Sequence, residues 1–155
     1  MYNKDVKTRR KSIELKKANE YEKAEQEKIP VEEKPAFHVA APVGWINDPN
    51  GLIYYKGNYH IFYQHFPYDN KWGTMHWGHA ITKDFVNFEH LPIALYPSKD
   101  FDRNGCFSGS AIEIDGQLYL YYTAIKYAKE NPSNVHNQYS DDDLRASQAL
   151  VVSSD

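Results

Sequence analysis

The 155-residue chain holds a single cysteine, Cys106, so no internal disulfide can form and none can supply its stability. No stretch approaches the roughly 18 consecutive apolar residues of a membrane-spanning helix, and near the N-terminus there is no apolar run of about 7–15 residues of the kind found in secretory signals. These absences point to a cytoplasmic protein with no membrane partner. Nor is basic charge in excess. The 18 Lys+Arg face 21 Asp+Glu, giving a net charge of −3 and a pI near 6.2. That balance removes the positive footprint that binding a phosphate backbone requires, so no nucleic-acid partner is expected. What remains is an ordinary globular composition, 41% hydrophobic and 25% charged, on a length suited to one domain.

Glycine and proline are missing from residues 5–28, a stretch rich in Lys, Glu, Ala and Gln. Good helix formers with opposite charges close together, such as Glu14 with Lys17 and Glu20 with Lys23, predict one helix there. Pro30 and Pro35 then turn the chain extended. The apolar residues Val6, Ile13, Leu15, Ala18, Tyr21 and Ala24 form only a partial stripe, so the helix is expected to lie outside something larger and to carry no chemistry. The division falls at residue 30: a charged helical segment over 1–30 and a body over 31–155.

Aromatic residues mark the body. Of 23 in the chain, 20 lie between Phe37 and Tyr127, a concentration that suits strands. Leu52 to Lys56 and Tyr59 to Gln64 flank Gly57-Asn58, while Ala111 to Ile114 and Gln117 to Thr123 flank Asp115-Gly116, so both pairs are expected to be tight hairpins. The hairpins are copies at an offset of 59, with Ile53 on Ile112, Gly57 on Gly116, Ile61 on Leu120 and Tyr63 on Tyr122. Third strands follow at Gly78 to Asp84 and at Ala149 to Asp155, where the offset has grown to 71, and the polar stretch 129–143 supplies the insertion as a loop. A fourth strand, about Ile93 to Tyr96, follows only in the first copy. Repeats of four antiparallel strands at this spacing are β-propeller blades, which need neighbours around an axis to bury their faces. The expected fold is therefore all-β, two blades of an incomplete propeller preceded by an α-helix, in the N-terminal portion of a longer protein.

The chemistry is expected at Trp45-Ile46-Asn47-Asp48-Pro49-Asn50-Gly51, just before the first hairpin, where the innermost strand of a blade opens toward the axis. Proline restricts the residue before it to extended conformations, so the Asp48 carboxylate can be aimed rigidly.

This motif stands with Tyr63-Gln64, Trp72-Gly73, His76-Trp77-Gly78-His79, Glu89-His90-Leu91-Pro92 and Gly105-Cys106-Phe107-Ser108-Gly109-Ser110. In that order the set resembles glycoside hydrolase family 32, and within it the bacterial sucrose-6-phosphate hydrolases. The resemblance implies a five-bladed propeller whose enzymes cleave terminal β-D-fructofuranosyl bonds with retention, needing no cofactor or metal. It makes Asp48 the nucleophile and gives Trp45, Asn47, Gln64, Trp72, Phe107 and Ser108 to substrate binding, with Ser108 also able to position Asp48 and Gly109 allowing close backbone approach. The implied partners are sucrose, sucrose 6-phosphate or another terminal β-fructofuranoside.

His76 and His79 are three apart and so point to opposite faces of a strand, which makes them structural rather than a metal pair. Cys106 has no partnered histidine nearby and is expected to be a small buried residue. The acidic run 141–143 is expected to be a solvated loop. Two motifs of the resembled family are missing: the Arg-Asp-Pro that stabilises the transition state and the Glu-Cys that carries the acid/base. Without an acid the chain alone is expected to have no useful hydrolase activity. Two other readings share these residues: a non-catalytic carbohydrate-binding or interaction remnant, and fructosyl transfer in place of hydrolysis.

Overall fold

The structure, a computed structural model, describes residues 4–128 and 144–153. Helix α1 spans Lys4–Gln26. Strands β1 (Trp45–Tyr55), β2 (Asn58–Phe66), β3 (His76–Thr82) and β4 (Phe88–Leu95) form one antiparallel sheet in that order. Strands β5 (Gly105–Ile114), β6 (Gln117–Tyr127) and β7 (Leu144–Ser153) form a second. The expected loop over 129–143, with its acidic run, lies outside the described residues. The Trp45 to Gly51 motif, expected just before the first hairpin, is the first half of β1 itself.

The internal repeat survives into the pairing register. Ile53 opposite His60 and Tyr54 opposite Tyr59 recur as Ile112 opposite Tyr119 and Glu113 opposite Leu118. Phe62 opposite His79 recurs as Tyr121 opposite Leu150, which carries the two offsets of 59 and 71 together. The first turn sits one residue earlier than expected. Its central pair is Lys56-Gly57, with φ of 46° and 87°, and Asn58 is already in the ladder opposite Tyr55. The second turn uses Asp115-Gly116 with φ of 52° and 79°. Both are the two-residue type with left-handed central residues, whose twist matches the flanking strands. Aspartate tolerates that conformation better than lysine. Lys56→Asn should therefore stabilise the fold by about 0.5–1 kcal/mol, raising the melting temperature by about 1–4 °C. An unchanged or lower melting temperature would show that the lysine pays no conformational penalty.

The sheets stack face to face, with β1 against β5. Tyr55, Phe62, Trp77 and Leu95 of the first meet Cys106, Leu118, Leu120, Tyr122 and Ala124 of the second in one buried cluster. The repeat explains the outer surface as well. Ile112, Tyr121, Leu150 and Val152 are 41–47% exposed on the far face of the second sheet. They occupy the places that Ile53, Phe62, His79 and Ile81 hold on the face the first sheet turns inward, so this is a surface shaped to be covered by a further sheet.

Within the stack His60 Nδ1 lies 3.0 Å from His79 Nε2, one ring donating and the other accepting. Burial, and then the neighbouring His60, pushes His79 down to about 4, while burial lowers His60. A histidine whose pKa is depressed on folding binds fewer protons folded than unfolded between about pH 4 and 6.5, so stability falls as the pH drops through that window. Denaturant unfolding should lose about 2–3 kcal/mol between pH 7 and 4.5, and His79→Gln should remove most of that slope. An equally steep slope in the variant would place its origin elsewhere.

Helix α1 docks by small and polar side chains rather than by an apolar stripe. Ala18 is 1% exposed. The Asn19 side-chain oxygen accepts the backbone N–H of Ile93 on β4 at 2.9 Å, and Glu22 meets the fully buried His65 of β2. Among the described residues of the helix and its exit, the exposed ion pairs are Lys16 with Glu20 and Lys28 with Glu25, both too solvated to hold the helix in place.

Candidate active site

The two sheets meet at a pair of β-bulges. On β1, Asn47 pairs with Gln64 and Pro49 with Tyr63, leaving Asp48 as the extra, unpaired residue. On β5, Phe107 pairs with Thr123 and Gly109 with Tyr122, leaving Ser108. A bulge re-aims its extra side chain and leaves the strand on either side in register. Two bulges at the same level of adjacent innermost strands therefore turn Asp48 and Ser108 toward each other, and the Ser108 hydroxyl donates to Asp48 Oδ2 at 3.0 Å. That bond and one from the Asn47 side chain hold the Asp48 carboxyl below its ordinary range. The carboxylate is exposed and ionised at neutral pH.

Asn47 is itself oriented. The Trp45 indole N–H donates to Asn47 Oδ1 at 2.6 Å. With its oxygen occupied, the amide turns its NH₂ toward Asp48. Trp45, Asn47, Asp48 and Ser108 thus form one connected group.

The serine bulge is pinned on both sides by the first sheet. Gln64 Nε2 donates to the Cys106 carbonyl at 3.0 Å, the Trp77 indole N–H to the Phe107 carbonyl at 3.2 Å, and the Gly109 N–H to Asn50 Oδ1 at 3.3 Å. Gln64 is 2% exposed and lies across the ladder from Asn47, so it belongs to this frame. Trp72 stands edge-on to Phe107 with ring centroids 5.8 Å apart, an aromatic pair at the foot of β5. Trp77 and Asn50 were not singled out from sequence. Each lies inside a quoted motif, but what they do depends on carbonyl and amide groups some 30 and 59 residues away.

The remaining candidates fall outside this group. His76 bonds the Thr74 carbonyl at 2.8 Å, while His79 stacks on Phe62 at 4.3 Å, so the two rings serve different contacts. Among the described residues no group of three or more His, Cys, Asp or Glu could hold a metal. Cys106 is 1% exposed, and burial drives its thiol pKa well up, which leaves it a packing residue. No helix of the described residues is long and apolar enough to cross a membrane.

With this geometry in hand, comparison with known proteins is specific. The model for the glycosyl hydrolases family 32 N-terminal domain matches residues 38–151. A sucrose-6-phosphate hydrolase of Zymomonas mobilis is 47% identical over 122 residues, covering 78% of this chain and 24% of its own length. A sucrose-6-phosphate hydrolase of Bacillus subtilis is 47% identical over 119 residues, covering 77% of this chain and 22% of its own. Among solved structures, a family 32 beta-fructofuranosidase of Bombyx mori superimposes with a TM-score of 0.78 at 37% identity, over 93% of this chain and 28% of that one. The chain thus spans about a quarter of the length of these relatives. Its two sheets are β-propeller blades and form part of a larger domain. With the family model covering most of its residues, the chain belongs to glycosyl hydrolase family 32, whose N-terminal domain it carries in part.

Proposed function

We propose that this chain supplies the nucleophile half of a β-fructofuranosidase site, one that hydrolyses the terminal β-D-fructofuranosyl bond of sucrose or sucrose 6-phosphate with retention. Asp48 attacks the anomeric carbon of fructose while an acid from outside this chain protonates the leaving oxygen. The glycosyl-aspartate ester is then hydrolysed by water, with that same group acting as base. The observation that carries the reading is the opposed bulge pair. An exposed carboxylate is kept ionised by Ser108 and Asn47, and is held by strands rather than by a mobile loop. Asn47, Trp45, Trp72 and Phe107 would shape and hydrogen-bond the fructosyl ring around it, with the buried Gln64 holding the serine strand behind them. A sucrose complex of the Bombyx mori beta-fructofuranosidase, 36% identical to this chain, supports the substrate class.

The test is a hybrid in which residues 1–151 replace the matching part of the Zymomonas mobilis sucrose-6-phosphate hydrolase. Proton NMR of fresh product should show β-fructofuranose first, followed by mutarotation. An initially inverted anomer would overturn the double-displacement reading, and a folded hybrid that binds sucrose without turning it over would favour a carbohydrate-binding role.

A further inference from the structure

The N-terminal helix was expected to be inert, yet the contact of Glu22 with a fully buried histidine leads back to Asp48. Glu22 Oε2 lies 2.7 Å from His65 Nε2, and His65 is 0% exposed. The other ring nitrogen, Nδ1, is 3.0 Å from the backbone carbonyl of Trp45. A carbonyl can only accept, so Nδ1 carries a proton and donates. That fixes the ring's orientation, and the Glu22 carboxyl on its other side, sharing a proton with Nε2, holds it there. Trp45, anchored through its carbonyl, offers its indole N–H to Asn47 Oδ1 at 2.6 Å, and Asn47 bonds Asp48. Glu22, His65, Trp45, Asn47 and Asp48 thus form an unbroken series of polar contacts from the helix to the carboxylate.

We propose that Glu22 is a positioning residue for Asp48, acting through His65 and Trp45 to set the orientation of the Asn47 amide. The helix then has a part in the site without touching substrate. A helix fastened only for stability could dock anywhere on the sheet. This one sets the Glu22 carboxyl against the buried histidine that holds the strand at Trp45, three residues ahead of Asp48. Any effect on turnover rests on the proposed role of Asp48, but the linkage does not, and it is measured without activity.

The experiment is NMR on the 155-residue chain and its Glu22→Ala and Glu22→Gln variants. Nitrogen shifts should show His65 Nδ1 protonated in the parent at neutral pH, and a His65 that carries its proton on Nε2 alone would overturn the proposal with no mutation made. In Glu22→Ala the Trp45 indole N–H resonance should move. The Asp48 carboxyl midpoint should rise by about half a pH unit as the Asn47 bond loosens. Glu22→Gln can still hydrogen-bond Nε2 and leaves Nδ1–H free to donate, so it should restore both signals to the parent values. If Glu22→Ala keeps its fold and leaves Trp45 and Asp48 unmoved, or if Glu22→Gln disturbs them as much as alanine does, the proposal fails. Should the alanine variant not fold, the His65 tautomer and the glutamine variant decide. The role of Asp48 as nucleophile fails by a different result, turnover that survives its replacement.

Discussion

Replacing Asp48 by asparagine in the hybrid enzyme should lower turnover on the order of 10⁴-fold or more while leaving sucrose affinity within about threefold of the parent. Asparagine keeps the shape, and its side-chain oxygen can still accept from Ser108, so the paired bulges and the packing between β1 and β5 should persist. On the proposed mechanism what is lost is the electron pair that forms the glycosyl ester, an interaction that exists only along the reaction path, so the loss should fall on kcat and not on KM. The distance from any acid/base group is untouched. A variant retaining more than about a tenth of parental turnover would remove Asp48 from the mechanism, whereas a protein that only binds sugar would show almost no effect. Fructosyl transfer would suffer the same loss as hydrolysis, since both pass through the same ester.

Gly109→Ala should have the largest effect on stability. A Cβ built at this position comes within 1.9 Å of the Tyr121 carbonyl oxygen and 2.8 Å of the Tyr122 Cα. Both are backbone atoms of the neighbouring strand, so no side chain can move aside. Either the ladder opens or the bulge is lost. The cost should be at least about 3 kcal/mol, which for a domain of this size lowers the melting temperature by about 6–12 °C. Because the Gly109 N–H also donates to Asn50, the same change should withdraw Ser108 from Asp48, raising the Asp48 carboxyl midpoint toward its ordinary value. Melting within about 1 kcal/mol of the parent would mean that β5 can shed the bulge freely and that the close approach of β5 to β6 is not what fixes Ser108.

The need for a glycine at 109 was legible beforehand through the family resemblance, which implied close backbone approach there. Its reason was not. The clash is with a strand that begins eight residues later and pairs back, and only the register sets which carbonyl stands there. The bulges themselves behave in the same way. Period-two patterning predicts that a strand exists, but the residue left unpaired is decided by the partner strand. For that reason the Asn-Asp-Pro-Asn-Gly segment, expected just ahead of the first hairpin, is instead part of β1. The first hairpin's turn slipped by one residue because Gly57 serves equally well at either central position, and the pairing of Tyr55 with Asn58 chose between them.

Local and repetitive features were settled by the chain's own chemistry. These were the charged helix, the hairpins with their glycine-bearing turns, the second copy of the first hairpin, and the aspartate before proline. They follow from backbone preference and side-chain alternation over a few residues, and these act wherever the segment lies. Contacts across 30 to 60 residues belong to the tertiary structure alone: Glu22 on His65, Trp77 and Asn50 on the serine strand, Ser108 on Asp48. Each joins groups whose meeting depends on how two sheets and a helix stack, and no pattern in one segment encodes the atom that another segment will place beside it.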